Sequence, residues 1–339
     1  MISIVIPNHN GAAYLENCLK SLKTQTYSKM EIVIVDNASQ DRSLDIVQSV
    51  APEAVLLREN RNRGFAGGVN AGIRSSRGDW IAVLNNDTEA SADWLAECVQ
   101  AIHNHPDAAF FACRILDFNN RDTLYSAGDC FLRTGIGYRR GQEQKDREDF
   151  QSESEVFSAS GCAALYRRTV LEDMGGFDER FFAYLEDVDL GLRLQAADHH
   201  GYYIPGAEIY HHGAATSGGE FSRLSVRLRT RNSVFLLLKS MPLGILFRCI
   251  PMIVLAQLAW FLRVLSHKRL ICYISGLAAA VFLAPGMIAS RSGIRPYWRR
   301  TRRRLWHAIL KSEALARKDF VSASSKSNSL FLKWYFRMF

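Results

Sequence analysis

Along the first 112 residues the hydrophobic positions switch repeatedly between a strand period and a helix period. Short β-rich apolar runs, SIVIP (3–7), EIVIVD (31–36), AVLL (54–57) and WIAVL (80–84), predict strands. Between them, apolar residues recur at helical spacing in AAYLENCLKSL (12–22), and further helices are predicted at about 41–50, 69–75 and 93–104. AAFFAC (108–113) ends the series as a fifth strand. Alternation of this kind implies a mainly parallel sheet covered by helices on both faces. Ligands of such sheets gather beyond the carboxyl ends of the strands. The polar residues that close the runs, Pro7, Asn8, Asp36 and Asn85 to Asp87, are therefore the first site candidates.

From 114 to 157 the pattern is irregular and polar, and its charged run QEQKDREDF is expected to be a solvated loop or insert. Order returns at FSASGCAALYRR (157–168), a strand-like stretch whose small residues, Gly161 and Cys162 among them, let a ligand approach closely. The acidic segment FAYLEDVDLGLRL (182–194) and then GYYIPGAEIYHHGAATSGG follow.

The last third changes character. Cys249 to Leu262 is free of charge, as is Leu270 to Ser290 apart from interruptions by Gly276, Pro285 and Gly286. A spanning helix takes about 20 apolar residues, which only the second segment supplies. A two-span hairpin would also carry Lys268 and Arg269 to the side opposite the RRTRRR cluster (299–304), against the positive-inside tendency. A shallow, re-entrant or in-plane pair of helices avoids that conflict. The bland alternative is a buried hydrophobic hairpin at an oligomer interface. The division expected is 1–112 as a nucleotide-sugar half, 113–235 as the acceptor and catalytic half of the same domain, 236–290 as membrane-associated helices and 291–339 as a basic tail.

Charge sharpens this picture. The net charge is +8, but residues 291–339 carry 13 Lys/Arg and 2 Asp/Glu, so the first 290 residues are slightly acidic. A basic tail that follows the most apolar segments points to an anionic membrane surface as partner. A nucleic-acid binder would instead interleave basic and aromatic residues through the core, so no nucleic acid is expected. The seven cysteines are dispersed without CxxC pairs, which argues for reduced thiols and against a disulfide or zinc framework. No charged leader or long apolar run precedes SIVIP, so no signal peptide is predicted.

Five stretches carry candidate chemistry. Asp36 ends a buried strand, where its carboxylate can accept hydrogen bonds from a nucleobase or ribose, or simply form an Asx turn with Asn37 and Ser39. NRNRGFAGGVNAG (60–72) sets Gly64, Gly67, Gly68 and Gly72 around a helix start, suited to phosphate or to a tight turn and close helix packing. VLNNDT (83–88) offers Asp87 as a hard oxygen ligand for Mg²⁺ or Mn²⁺, with a diphosphate supplying further donors. In IYHHGAATSG, His211 or His212 can complete such a sphere. Finally, Glu186, Asp187 and Asp189 crowd into four positions. On a helix, Asp189 and Arg193 are i,i+4 partners, and acids in a first turn gain from the helix dipole. A neighbouring carboxylate also raises the proton affinity of one member, as a general base requires.

VIPNHNG, VIVDNAS, NRGFAGGVNAG, LNNDT, SGCAALYRR, GGFDERFFAYLEDVDLGLR and HHGAATSG occur in one order over about residues 1–235. In these motifs the chain resembles the inverting family 2 glycosyltransferases of GT-A fold, particularly a rhamnosyltransferase-like branch. The resemblance implies that Asp36 binds the base, within a nucleotide site of Pro7, Asn8, Asn10, Asn62, Gly64, Phe65, Gly68, Asn70, Asn85 and Asn86. It implies Asp87 and His211 as ligands of Mg²⁺ or Mn²⁺, with Asn85 standing where the family often has Asp. Asp187 would be the catalytic base, Glu186 its supporting or acceptor-binding neighbour, and Gly161, Cys162 and Trp94 the sugar and acceptor pocket. The implied reaction is a single inverting displacement from a dTDP- or UDP-sugar, rhamnose favoured, onto a polyprenyl-diphosphate-linked saccharide. It would serve cell-wall or surface-polysaccharide assembly at the cytoplasmic face of the membrane. The rivals are transfer to polyprenyl phosphate itself, which calls for three or four long spans, and an idle nucleotide-binding scaffold, which would have lost Asp87 or Asp187.

Overall fold

A computed structural model describes residues 1–213, 218–322 and 330–338. Residues 214–217, within the HHGAATSG stretch, and residues 323–329 and 339 of the basic tail lie outside the described residues. The first half runs β1 (Ile2–Asn8), α1 (Ala12–Lys23), β2 (Met30–Asp36), α2 (Ser43–Val50), β3 (Val55–Arg58) and α3 (Gly64–Ser75). It continues with β4 (Trp80–Leu84), β5 (Thr88–Ala90), α4 (Trp94–Asn104) and β6 (Phe110–Asp117). Apart from the short β5, which no apolar run announces, these are the strands and helices that the two periods predict, with α3 starting five residues earlier than its apolar pattern. Ile4 and Ile6 pack with Leu15 and Leu19 of α1, while Val5 between them packs with Ala66 and Val69 of α3. Both faces of β1 are therefore buried, as a strand covered by helices on two sides requires.

β7 (Leu124–Ser126), β8 (Asp129–Phe131), β9 (Gly137–Arg139) and β10 (Ser154–Val156) follow, then β11 (Ala163–Arg167), α5 (Arg168–Asp173), α6 (Glu186–Ala196) and β12 (Gly201–His211). The large sheet has the order β10-β12-β6-β11-β4-β1-β2-β3. β3, β2, β1 and β4 are parallel, and β11 inserts antiparallel between β4 and β6. That insertion brings the start of β11 to the carboxyl ends of β1, β2 and β4, which is where the site forms. The run at 142–150 is solvated at Gln142, Glu143, Lys145, Glu148 and Asp149 but docked by its other side chains: Asp146 pairs with Arg114, Arg147 donates to Ser322 O at 2.7 Å, and Phe150 is fully buried.

The C-terminal helices are α7 (Arg223–Ser240), α8 (Leu243–Ser266), α9 (Leu270–Ala289), α10 (Arg291–Ser322) and α11 (Leu330–Met338). The expected boundary at 235 falls inside α7, which runs on unbroken. The basic tail is mostly helix among the described residues, and α10 folds back onto the segment around β8 and β9. There Phe131 N donates to Ser312 Oγ at 2.8 Å, Arg133 pairs with Glu313 at 2.5 Å and Arg140 with Asp319 at 3.2 Å. One apolar cluster joins Phe131 with Val188 and Leu192 of α6, Phe235 of α7, Met252 of α8 and Leu305 of α10.

Candidate active site

The carboxyl ends of β1, β2 and β4 are tied by a buried amide. Asn8 Nδ2 donates to Asp36 Oδ1 at 3.3 Å and to Ser39 Oγ at 3.1 Å, while Asn8 Oδ1 accepts from Asn86 Nδ2 at 2.6 Å. Asp36 Oδ2 accepts from Ser39 N at 3.1 Å, so the Asx turn forms here. Asn10 sits at φ 54° and its Oδ1 accepts from Gln40 N, which closes the same rim.

Beyond β4, Asp87 and His211 meet although 124 residues separate them, with His211 Nε2 3.1 Å from Asp87 Oδ1 and both side chains buried. Burial works to push the Asp87 carboxyl up, but the hydrogen bond and charge of His211 outweigh it and hold it below the usual range. His211 arrives at the end of β12 because that strand pairs with β5, which follows Asp87 directly. His212 points elsewhere and stacks on Phe118 with ring centroids 3.7 Å apart. Among the described residues no group of three or more His, Cys, Asp or Glu forms a metal cage. The donor set for a cation is this carboxylate and imidazole, with Asn85 Nδ2 3.5 Å from the same His211 nitrogen.

Asp187 lies in the first turn of α6. Its Oδ1 accepts from Val188 N at 2.8 Å and its Oδ2 from Gly161 N at 3.0 Å. One residue on, Cys162 O accepts from Asn85 N at 2.8 Å, so a short backbone bridge links Asp187 to the Asp87–His211 pair. Phe65 covers this bridge: a Cβ on Gly161 would stand 3.1 Å from its ring. Glu186 is buried, and its Oε2 has no hydrogen-bond partner among the described residues. Burial, then the charge of Asp187, push its carboxyl well above the usual range. Asp189 lies deepest, bound to Arg193 Nε at 2.9 Å, Lys239 Nζ at 2.7 Å and Ser240 Oγ at 2.5 Å. It anchors α6 to α7.

The segment before α6 is strained, with positive φ at Phe182 (67°), Tyr184 (69°) and Leu185 (68°). Asn232 of α7 clamps it by donating to Phe181 O, Ala183 O and Tyr184 O at 2.7 to 2.9 Å.

The glycine stretch serves packing rather than an open amide cradle. Gly64, at φ +72°, lets the 182 loop come close, where a Cβ would be 2.3 Å from Phe182 O. The Gly64 amide donates to Asn62 Oδ1 and the Ala66 amide to Phe182 O. A Cβ on Gly68 would meet Asn37 and Pro7. Asn70 braces the 177–179 loop, accepting from Phe177 N at 2.9 Å and donating to Phe177 O at 2.7 Å. Trp94 is not a pocket residue: it is fully buried beneath the sheet and its Nε1 donates to Cys113 Sγ at 3.2 Å.

Three charged residues escape sequence reasoning. Asp129 of β8 is buried near Asp187. Burial, then the Asp187 charge, push its carboxyl up to about 7, against the pull of Arg139 and a hydrogen bond from Ser126. Arg139 of β9 lies over the Tyr125 ring at 4.2 Å, and Tyr125 meets the His211 ring edge-on at 4.4 Å. Arg229 of α7 approaches from the other side, over the Tyr184 ring at 5.0 Å. The one sequence signal was Asp129 itself, an acid leading into the apolar Cys130–Phe131 pair. A cavity of about 740 Å³ lies elsewhere, between α3, α5 and the α9–α10 junction, and neither Asp87, Asp187 nor His211 lines it.

The model of the family "Glycosyl transferase family 2" matches residues 3–175. The N-acetylglucosaminyl-diphospho-decaprenol L-rhamnosyltransferase of Mycobacterium tuberculosis is 28% identical over an alignment covering 64% of this chain and 78% of that protein. Among solved structures, a fragment of S. aureus TarS with UDP-GlcNAc superposes with a TM-score of 0.55 at 16% identity, covering 94% of this chain and 91% of the other. A mannosyltransferase of Pyrobaculum calidifontis, solved with GDP-Man and Mn²⁺, gives 0.51 at 19% identity, covering 92% and 86%.

Proposed function

This chain belongs to glycosyl transferase family 2 and is a glycosyltransferase of GT-A fold, and from that premise we propose the reaction it performs. It moves a sugar, rhamnose favoured, from a dTDP- or UDP-sugar to a saccharide carried on polyprenyl diphosphate, with inversion. The product belongs to cell-wall or surface-polysaccharide assembly. One observation carries the proposal: Asp187, its carboxylate fixed by two backbone amides, stands one peptide bridge from the Asp87–His211 pair. The name of the mycobacterial relative supports the donor sugar and the lipid-linked acceptor.

The acceptor hydroxyl attacks the anomeric carbon from the face opposite the nucleotide, and Asp187 takes its proton as the new glycosidic bond forms. The bond to the diphosphate breaks with its electron pair leaving on the nucleoside diphosphate, so one displacement inverts the centre. Asp36, Asn8 and Asn86 line the base end of the donor site. A buried carboxylate oxygen facing an imidazole nitrogen suits Mg²⁺ or Mn²⁺ shared with substrate oxygens, so Asp87 and His211 fit the ion. When bound, that ion offsets negative charge growing on the leaving diphosphate.

The apolar hairpin seats the enzyme on the cytoplasmic face of the membrane, in plane rather than across it. Against the expectation that only the second segment suffices, α8 extends past the charge-free 249–262 at both ends, and α8 and α9 are each long and apolar enough to cross. Yet α9 is held lengthwise against α7, which carries Arg223, Arg227, Arg229, Arg231 and Lys239. Arg269 Nε donates to Phe221 O at 2.9 Å just before α7, Gly276 packs on Arg227 midway, and Arg291 donates to Leu238 O and Met241 O at the far end. A spanning α9 would draw that charged helix into hydrocarbon. Phe247, Ile250, Val254, Leu258 and Leu262 instead form one exposed stripe on α8, continued by Ile274, Val281 and Phe282 of α9.

The test is transfer from labelled dTDP- and UDP-sugars to lipid-extractable product, with and without Mn²⁺ or Mg²⁺, comparing wild type with Asp187→Asn. Metal-dependent product that falls roughly 100-fold or more in the variant, with nucleotide binding retained, is expected. Equal turnover in the variant refutes Asp187 as base and passes the role to Glu186.

A further inference from the structure

Two arginines lie on aromatic rings beside the candidate site, one without a salt bridge among the described residues and the other with a single long ion pair whose carboxylate is shared. Among the described residues Arg139 makes no salt bridge, and its guanidinium is held instead over the ring of Tyr125 at 4.2 Å. Tyr125 packs against His211, so this cation stands one aromatic ring from the Asp87–His211 pair. Arg229 is held over Tyr184, the residue two before Glu186, at 5.0 Å. Its Nε is buried without a hydrogen-bond partner. Its nearest carboxylate, Glu220, is 3.7 Å away and is shared with Arg263 at 3.3 Å. Burial lowers the proton affinity of Arg229, and the charge of Arg139 lowers it further, which puts the two cations within electrostatic reach of each other. Asp129 and Asp187 attract Arg139 from a distance without pairing with it.

Like charges brought together in a half-buried place, one with an unmet N–H, call for an anion from outside the fold. A guanidinium lying on an aromatic face keeps its N–H edges free, and two such edges match the spread oxygens of a diphosphate. We propose that Arg139 and Arg229 together form a diphosphate-binding site beside Asp187. This rests on the glycosyl-transfer reading, because that reaction brings two diphosphates to this face: the donor's leaving group and the lipid carrier of the acceptor. The shared chemistry is a pyrophosphate ester.

The test uses the full chain in detergent as wild type, Arg139→Gln, Arg229→Gln, the double variant, and Arg139→Lys with Arg229→Lys. Dissociation constants are measured by calorimetry for two probes, UDP with Mn²⁺ and farnesyl diphosphate without metal, alongside the thermal midpoint of each protein. Loss of a charged hydrogen bond predicts weakening of roughly tenfold or more for at least one probe, partly restored by lysine. Weakening of UDP alone assigns the site to the donor, and weakening of farnesyl diphosphate alone assigns it to the acceptor carrier. Unchanged constants for both probes in a double variant with a wild-type midpoint overturn the proposal, as does failure of the wild type to bind either probe. Arginine-dependent binding in a wild type that transfers no sugar from any donor would refute the glycosyl-transfer reading and leave the site standing.

Discussion

Neutralising Asp129 should change how the fold responds to pH. Its side chain is 8% exposed, takes a hydrogen bond from Ser126 Oγ at 3.2 Å, and faces the charges of Asp187 on α6 and Arg139 on β9. Burial and Asp187 push its carboxyl from an ordinary 3.8 to about 7. Between those values the folded chain holds a proton that the unfolded chain has released, so stability falls as pH rises through that window. At about 1.4 kcal/mol per pH unit, the ionised carboxylate lowers stability by on the order of 4 kcal/mol above pH 7. Asp129→Asn keeps an oxygen for Ser126 and removes the ionisation. Urea unfolding of the detergent-solubilised chain at pH 5, 6, 7 and 8 should show the wild type losing stability with rising pH more steeply than the variant, in which the raised carboxyl of Glu186 still leaves a slope. The two curves should then cross, with the variant ahead at pH 8. Parallel curves over the whole range would refute this account of the acid cluster.

Asp189→Ala leaves the buried Arg193 without a carboxylate and Lys239 with Asp178 alone, and should cost about 3–5 kcal/mol; a loss under about 1 kcal/mol in urea unfolding would contradict the anchoring role. Asn232→Ala releases the strained 181–184 segment, so kcat should fall roughly tenfold or more while the dissociation constant for UDP with Mn²⁺ holds. Unchanged kcat would mean that the clamp does not position Asp187. Phe247→Ser with Phe282→Ser removes two exposed aromatic side chains from the hairpin stripe, and co-sedimentation with anionic vesicles should weaken roughly 100-fold or more. Equal sedimentation would place the membrane seat elsewhere.

The strands were legible because each carries a short apolar run with polar residues at its end, and Asn8, Asp36 and Asp87 all come to one rim of the sheet. Pairing between distant strands leaves no local trace. Nothing in AALYR says that it will lie between β4 and β6, yet that placement sets Gly161 beside Asp187. The glycine run shows the converse. Its spacing fits both a phosphate cradle and close packing, and only the approach of Phe182 to Gly64 decides for packing. Trp94 reads from sequence like a pocket aromatic because an isolated tryptophan after a polar turn does not reveal which face of its helix is covered. Arg139 and Arg229 were invisible for another reason: each sits in a segment rich in arginine, where solvent exposure is the ordinary fate.

α7 is the element on which the two ends of the chemistry meet. Its Asn232 and Arg231 hold the carbonyls of 180–184, which set the direction of Glu186 and Asp187, and its Lys239 and Ser240 hold Asp189 one turn further along α6. Its other side lies along α9, fixed near both ends by Arg269 and Arg291, and Trp260 of α8 donates to its Thr230 at 2.9 Å. Among the described residues, both the apolar stripe and the helix that carries Asp187, the proposed base, are thus packed directly on α7. Each is one packed helix away from the other. On the proposed membrane seating, a proposed base mounted this way would not approach or leave the bilayer independently of the hairpin, so the height of Asp187 above the lipid would be set by how deep the α8–α9 stripe sits. For the proposed acceptor, whose reactive hydroxyl is carried at a fixed distance from its lipid, that height would select among saccharides by length, which sugar-binding residues alone would not do.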